Sequence, residues 1–234
     1  FGASSIHLAA FIDTLLASFL AAGSISYLYY ANRIFQLPLA VFAIAVSMAL
    51  FPVIARAIKR GDENGAIALL SRNFWLLLFL LSASAVGGLL LSEGIIWLLF
   101  ERGAFTREDT IVTGQALGMY LIGLIPFGLA RIFSLWLYSS HRQMDAAKIS
   151  AWALGGNIVF SLALIGPFGV LGLALAGSLS GFILLYLNLQ AFGWQRFWGM
   201  IRAKFVFLLV LTLLIEAALI EGFKYLVEYR GFFA

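Results

Sequence analysis

Five polar residues inside long apolar stretches of this sequence are of types that could bind a ligand. They are Asp13, Arg33, Arg131, Asn157 and Ser161. An arginine guanidinium presents a planar fork of N–H donors that matches a phosphate at two points. Carboxylate, amide and hydroxyl oxygens are the ligands that hard cations prefer. These residues therefore predict two kinds of site, one for an anionic ligand and one for a cation.

Asp13 and Arg33 allow two interpretations. A charged side chain at the middle of a bilayer costs at least ~2.5–3.5 kcal/mol, so it usually faces a protein interior or a water-filled cavity. The two residues could neutralise each other and fix helix packing. Alternatively, at least one of them could face a cavity that holds an anionic or cation-coupled ligand. The planar fork makes Arg33 the better candidate for contact with a phosphate.

The other candidates also have structural alternatives. Arg131 could line the same cavity or could extend its charged end to the cytoplasmic surface. Asn157 and Ser161 are one helical turn apart, and they could give neutral oxygens to an ion or form hydrogen bonds between helices. Glu216, in a later apolar stretch, is assigned a local structural role.

Enzyme chemistry has no support in the sequence. The chain has no cysteine, which excludes disulfides and thiol catalysis, and its two histidines, His7 and His141, lie far apart. It also lacks a Walker-type glycine loop, so we expect no ATP hydrolysis and no cofactor other than a sodium ion. Uphill transport would then use an ion gradient or the membrane potential, where one charge crossing 100 mV is worth about 2.3 kcal/mol.

The composition indicates membrane-spanning helices. Hydrophobic residues make up 63% of the 234 residues and charged residues 11%, whereas a soluble domain has about 25% charged residues. The basic residues are scattered through short loops, which argues against binding of nucleic acid. The chain begins at Phe1 without Met or a basic leader, so we expect a fragment of a longer protein rather than a signal peptide.

Seven transmembrane spans are predicted. They cover approximately residues 3–22, 26–57, 74–91, 111–139, 149–165, 171–189 and 205–225. Pro38 should kink the second span, because proline removes one backbone hydrogen bond. Pro126 and Arg131 should interrupt the fourth span. A tight turn at residues 166–169 should separate the fifth span from the sixth.

The segments between the spans predict the topology. Glu93–Glu101 is too short to cross a bilayer and suits a helix at the interface, and Thr106 suits a helix N-cap. Nine of the fifteen Lys and Arg residues lie on the side that holds the loops around Lys59, Arg142 and Arg196. Only four lie on the other side, so the richer side is predicted to be cytoplasmic.

Four stretches of the chain resemble the MurJ (MviN) branch of the multidrug/oligosaccharidyl-lipid/polysaccharide exporter superfamily. They are Ile12–Arg56, Leu99–Thr106, Tyr138–Lys148 and Ile165–Ser180. The resemblance implies an all-α polytopic protein of the bacterial inner membrane, with one six-helix lobe of a MATE-like exporter fold plus one extra helix. Residues 1–192 would form the C-terminal transport lobe and 193–204 a cytoplasmic linker. Residues 205–234 would form the additional helix, beside a groove for a lipid tail.

The resemblance also implies a function. Proteins of this kind flip lipid II, the undecaprenyl-pyrophosphate-linked precursor of peptidoglycan, to the periplasmic leaflet by alternating access between two lobes. The partners would be lipid II, membrane lipids and the N-terminal lobe of the same protein. Arg33 would line the central cavity. Asp13 and Asn157 would match a sodium site in which Ser161 stands where a second carboxylate is expected.

Two alternative functions stay open at the level of sequence. The first is a related exporter of drugs or of other polyprenyl-linked oligosaccharides. The second is a membrane scaffold that transports nothing, in which the buried charges only hold helices together. A water-filled cavity around Arg33 would distinguish transport from scaffolding. An intramembrane hydrolase is disfavoured, because Asp13 has no acidic partner in another span.

Overall fold

The structure, a computed structural model, describes residues 11–229, and within this range it contains helices and turns but no strands. The predicted all-α class is therefore confirmed. The helices are α1 (11–17), α2 (Ser24–Pro38), α3 (Ala45–Lys59), α4 (Glu63–Leu90), α5 (Ser92–Phe100), α6 (Arg107–Ile122), α7 (Leu124–Ser139), α8 (Gln143–Phe192), α9 (Trp194–Met200) and α10 (Ala203–Tyr229).

Five elements of the described chain are long and apolar enough to cross a membrane. They are Ser24–Lys59, Glu63–Leu90, Arg107–Ser139, Gln143–Phe192 and Ala203–Leu226. Together they contain the second to the seventh predicted spans, with the fifth and sixth both inside α8. Of the first predicted span, 3–22, only residues 11–22 belong to the described chain, and α1 occupies part of them.

Pro38 marks an irregularity in the second span, as predicted. It ends α2, and the π-helical segment Leu39–Ile44 connects α2 to α3. Because proline cannot donate to the carbonyl one turn earlier, the regular hydrogen-bond ladder is broken there. The combined element has 36 residues, which corresponds to ~54 Å at the rise of an α-helix. It is therefore longer than the hydrocarbon core of ~30 Å and must tilt or protrude.

The fourth predicted span is interrupted at Gly123, and the predicted interruption at Pro126 and Arg131 is wrong in position. α6 ends at Ile122 and α7 begins at Leu124, so the break lies before the proline. Pro126 has no N–H to give to the carbonyl of Ile122, so its effect is felt one turn earlier in the chain. Arg131 lies in the middle of α7 and does not disturb the helix.

Ser178 of α8 completes the hydrogen bonding at this break. Its hydroxyl oxygen accepts from the N–H of Gly123 at 3.1 Å. Its proton is directed at the carbonyl oxygens of Met119 and Tyr120, at 2.5 and 3.1 Å. A Cβ at position 123 would lie 2.8 Å from the Cα of Ser178, so glycine permits this approach. A serine on a neighbouring helix thus replaces backbone hydrogen bonds that water cannot supply inside a membrane.

Helix α8 contains the turn between the fifth and sixth spans. Gly169 has φ 53° and ψ −126°, which is a non-helical conformation that favours glycine. The two halves of α8 run back against each other, since Gly172 lies on the carbonyl of Leu164 and Gly156 lies on the side chain of Ile183. The predicted turn is confirmed, and α8 is a helical hairpin.

Helices α6 and α7 form the centre of the lobe, and α10 lies at its edge. In Arg107–Ser139, 67% of the most apolar 18-residue window is buried, whereas in Ala203–Leu226 none is. α10 packs along α4, and the indole N–H of Trp75 on α4 donates to the carbonyl of Met200 at 3.1 Å. Lipid tails are as apolar as leucine, so α10 can expose its side chains to the bilayer.

Candidate functional site

The structure brings together the three residues that were predicted to bind an ion. The hydroxyl of Ser161 donates to Oδ1 of Asp13 at 3.0 Å, and the side chain of Asn157 is a second hydrogen-bond partner of the same carboxylate. Asn157 is 2% exposed and Ser161 is fully buried. We call Asp13, Asn157 and Ser161 the buried polar cluster.

Helix geometry explains why these residues meet. Asn157 and Ser161 are four residues apart in the first half of α8, so their side chains lie on one face of that helix. Asp13 and Ala17 are also four residues apart, and Ala17 is 1% exposed, so this face of the chain packs inward. Asp13 therefore reaches α8 from the inward face of α1.

The buried polar cluster offers only oxygen ligands that suit a hard cation. Oδ1 of Asn157 is buried and has no hydrogen-bond partner, which ordinarily costs about 1–3 kcal/mol. A bound cation would remove that penalty. Within residues 11–229, no group of three His, Cys, Asp or Glu side chains is placed to hold a metal ion, so a transition-metal site has no support there. The residues present fit a monovalent cation held by carboxylate, amide and hydroxyl oxygens.

Arg33 lies on an exposed face of α2 and does not pair with Asp13. Its guanidinium donates to the hydroxyl of Tyr29 at 3.1 Å, and its Cζ lies 5.0 Å from the centre of that ring. Among the ion pairs of the described residues, none includes Arg33. The packing-pair interpretation is therefore wrong, because Asp13 is bonded to Ser161 instead. Gln36 extends the same face, and we call Tyr29, Arg33 and Gln36 the open polar face.

Arg131 is exposed on α7, a helix that is otherwise mainly buried. Every other side chain of α7 is buried or half-buried except Tyr138, seven residues later on the same helical face. None of the ion pairs found in residues 11–229 includes Arg131. Both predicted substrate-binding residues, Arg33 and Arg131, are thus exposed and open to a ligand. The structure places them on different helices, and contact with a substrate stays a prediction for both.

The sequence did not reveal the polar contacts between the buried polar cluster and the open polar face. The Tyr120 hydroxyl is hydrogen-bonded to the side chain of Asn32, and the amide of Gln36 donates to the oxygen of Asn32. Asn32 and Gln36 are four residues apart, so their shared helical face was a signal in the sequence. The contact with Tyr120 required the tertiary structure.

A second network that the sequence did not reveal lies at the other end of α2. The hydroxyl of Tyr27 donates to Oδ1 of Asp109 at 2.6 Å. Asp109 also completes a capping box with Thr106, and the predicted N-cap at Thr106 is therefore confirmed. Tyr30 packs against Phe100, with ring centres 4.6 Å apart. These contacts fasten α2 to the end of α5 and to the start of α6.

The chain is similar throughout its length to known membrane proteins. The family model described as "Lipid II flippase MurJ" matches residues 1–232. A "Probable lipid II flippase MurJ" of Helicobacter pylori strain J99 is 50% identical over 224 residues, which are 95% of this chain and 49% of that protein. The Haemophilus influenzae protein of the same description is 34% identical over 193 residues, covering 80% of this chain and 38% of that protein.

A solved structure agrees with these sequence matches. The structure titled "Lipid II flippase MurJ, inward closed conformation" matches 97% of this chain and 52% of its own chain, with a TM-score of 0.73 and 25% identity. This chain thus spans about half the length of the relatives it matches. The similarity and the spanning helices indicate a multi-pass protein of the bacterial inner membrane. The chain belongs to the MurJ family of lipid II flippases.

Proposed function

We propose that this chain is the C-terminal part of a transporter that flips lipid II from the cytoplasmic to the periplasmic leaflet by alternating access. In this proposal residues 1–192 form one transport lobe, 193–204 a cytoplasmic linker, and 205–234 an additional helix. The other lobe of the same protein would cover the open polar face. The observation that carries the proposal is the exposed guanidinium of Arg33, which lies inside a membrane span without a carboxylate partner among the described residues.

Arg33 suits the pyrophosphate of lipid II for a physical reason. A charged group that lines a low-dielectric cavity acts on an anion far more strongly than it would in water. Tyr29 holds the guanidinium by a hydrogen bond and by its ring, so the planar fork is oriented before a ligand binds. Arg131, exposed on α7, would add a second positive charge.

We propose further that the buried polar cluster holds a sodium ion. Asp13 would supply the balancing negative charge, and Asn157 and Ser161 would supply neutral oxygens. Support comes from the unpartnered Oδ1 of Asn157 and from the oxygen-only composition of the cluster. When bound, the ion would couple transport to an ion gradient. One positive charge that crosses a membrane potential of about 100 mV releases about 2.3 kcal/mol, which could drive the transport step.

The additional helix α10 has an apolar surface that suits the polyprenyl tail of the same substrate. Its side chains are almost all exposed or half-buried, and large apolar ones such as Phe207, Leu214 and Leu219 are more than 60% exposed. A long isoprenoid chain can pack against such a surface by the same dispersion contacts that it makes with lipid tails.

The test is substitution of Arg33 in the full-length protein. Arg33→Ala should lower the rate of lipid II flipping in proteoliposomes at least 30-fold, since loss of one partner in a buried charged contact costs about 2–5 kcal/mol. Arg33→Lys keeps the charge without the fork and should fall between this variant and the wild type. Arg60→Ala, an exposed loop arginine, is the matched control. Normal flipping by the Arg33→Ala protein would contradict the proposed role.

A further inference from the structure

Glu216 lies at the middle of α10. It is thirteen residues from Ala203 and thirteen from Tyr229, the two ends of that helix, which corresponds to ~20 Å in either direction. α10 is long and apolar enough to span a membrane, and none of its most apolar 18-residue window is buried. A glutamate side chain is too short to reach either end of the helix, so its carboxyl stays at the depth of the hydrocarbon.

A niche on α4 receives this carboxyl. Oε1 of Glu216 lies 3.2 Å from the position that a Cβ would take at Gly87, so the absence of a side chain there makes room for it. Glu216 is half-buried, and it opens on a groove of about 520 Å³ that is otherwise mainly apolar. The groove is lined by Thr212, Ile215, Glu216, Leu219 and Ile220.

The neighbouring polar groups do not neutralise the carboxyl. Within residues 11–229, none of the ion pairs includes Glu216, and its side chain has no hydrogen-bond partner there. The hydroxyl of Thr212, one turn earlier, donates to the carbonyl of Leu209 in its own helix. The local structural role that was expected from the sequence would need such a partner.

The other titratable side chains of α10 and of α4, the helix packed along it, are distant or already paired. Arg72 precedes Gly87 by fifteen residues, or ~22 Å. Glu221 follows Glu216 by five residues, ~140° around the helix, and it bonds Lys224 at 3.0 Å. The titratable residues with described side chains on these two helices, besides Glu216, are Glu63, Arg72, Lys204, Glu221, Lys224 and Tyr225.

An unpaired carboxyl in this position has two states that prefer different surroundings. Its charged form is strongly disfavoured at the middle of a bilayer, whereas its protonated form is neutral. A groove filled with hydrocarbon therefore favours the protonated form, and a groove that opens to water favours the carboxylate. An apolar side chain would fill the niche at Gly87 without this cost, so the carboxyl indicates a polar role.

We propose that Glu216 is a proton-binding site in the groove beside α10. The carboxyl holds one proton while hydrocarbon fills the groove and releases it when water enters. The site lies on a different helix from the buried polar cluster, and its ligand is a proton instead of a metal cation. The inference goes beyond the proposed function, since it depends on Glu216 and its surroundings and not on lipid II.

The experiment treats the full-length protein in proteoliposomes at neutral pH with dicyclohexylcarbodiimide, an apolar reagent that modifies protonated carboxyls. The carboxyl proton moves to a carbodiimide nitrogen and the carboxylate oxygen bonds to the central carbon; the adduct then rearranges to an N-acylurea, and no atom is lost. Peptide mass spectrometry measures the modified fraction. Glu216 should be modified at least about tenfold more than Glu221, because the penalty on a charged carboxyl at mid-bilayer exceeds a factor of ten in the ratio of its two forms.

A second readout identifies the proton directly. The infrared band of a protonated carboxyl should be lost in part in Glu216→Gln, which keeps the shape of the side chain, and should be retained in Glu221→Gln, the matched control on the same helix. A carboxylate paired with a basic residue elsewhere in the full-length protein would leave Glu216 unmodified and the band unchanged in Glu216→Gln. Either of these two results would overturn the proposal.

Discussion

The buried polar cluster and the open polar face place polar groups in opposite settings within one lobe. In the first, Asn157 and Ser161 are inaccessible to solvent and bond the carboxylate of Asp13. In the second, the guanidinium of Arg33 is exposed, and within residues 11–229 it is held by Tyr29. A closed cluster of oxygens suits a small dehydrated ion, whereas an open cation suits a large anionic headgroup.

The comparison shows that exposure distinguishes the two kinds of site better than residue type does. From the sequence alone, an ion pair between Asp13 and Arg33 was one of two open interpretations. The structure separates them, because Ser161 and Asn157 take the carboxylate and leave the guanidinium to Tyr29. Substitutions in the closed cluster should therefore affect ion binding and stability, and those on the open face should affect the substrate.

The largest effect is expected at Asp13. Asp13→Asn preserves the shape and one acceptor oxygen but removes the charge that would balance a cation. In the full-length protein it should abolish thermal stabilisation by sodium. It should also lower the rate of lipid II flipping at least about tenfold, because mutation of residues that support a metal site typically lowers metal affinity or activity by such a factor. Asp145→Asn is the control, because that carboxylate is 41% exposed and pairs with Arg142 at the start of α8. If sodium stabilised Asp13→Asn as much as the wild type, the buried polar cluster would not be the cation site, and its proposed difference from the open polar face would be contradicted.

A smaller effect is expected at Ser178. Its substitution tests whether other groups of the lobe can replace the hydrogen bonds of a buried hydroxyl. Ser178→Ala removes the donor to the carbonyl of Met119 and one of the acceptors of the Gly123 N–H, which also bonds the carbonyl of Tyr120. It should lower the free energy of unfolding by about 1–3 kcal/mol. Ser180→Ala is the matched control two residues away, because the Ser180 hydroxyl bonds only the carbonyl of Gly177 in its own helix. Thermal unfolding in detergent compares them, and equal melting temperatures would contradict the role of Ser178.

Local features were predictable from the sequence because their causes are local. The disturbance at Pro38, the turn at Gly169 and the cap at Thr106 each follow from the chemistry of one residue and its immediate neighbours. The break in the fourth span was predicted at Pro126, but it lies at Gly123, because proline acts on the carbonyl one turn before it and glycine accommodates Ser178 there.

Contacts between distant parts of the chain were not predictable in the same way. Asp13 and Ser161 lie 148 residues apart, and only the resemblance to a known family suggested that they share a site. The hydrogen bonds of Ser178 to the α6–α7 break and of Tyr120 to Asn32 depend on which faces of three helices meet. Periodicity shows that a face is polar, but it does not show which neighbour covers it.

The most direct test of the central claim measures the reactivity of a single cysteine at each of two positions. This chain has no cysteine of its own, so Arg33→Cys and Asn157→Cys, each made in a full-length protein without other cysteines, can be compared cleanly with a water-soluble thiol reagent. Arg33→Cys should react at least about tenfold faster, since reactivity follows access to the thiolate, and lipid II should slow that reaction. Equal rates at the two positions, or no protection by lipid II at position 33, would contradict the account.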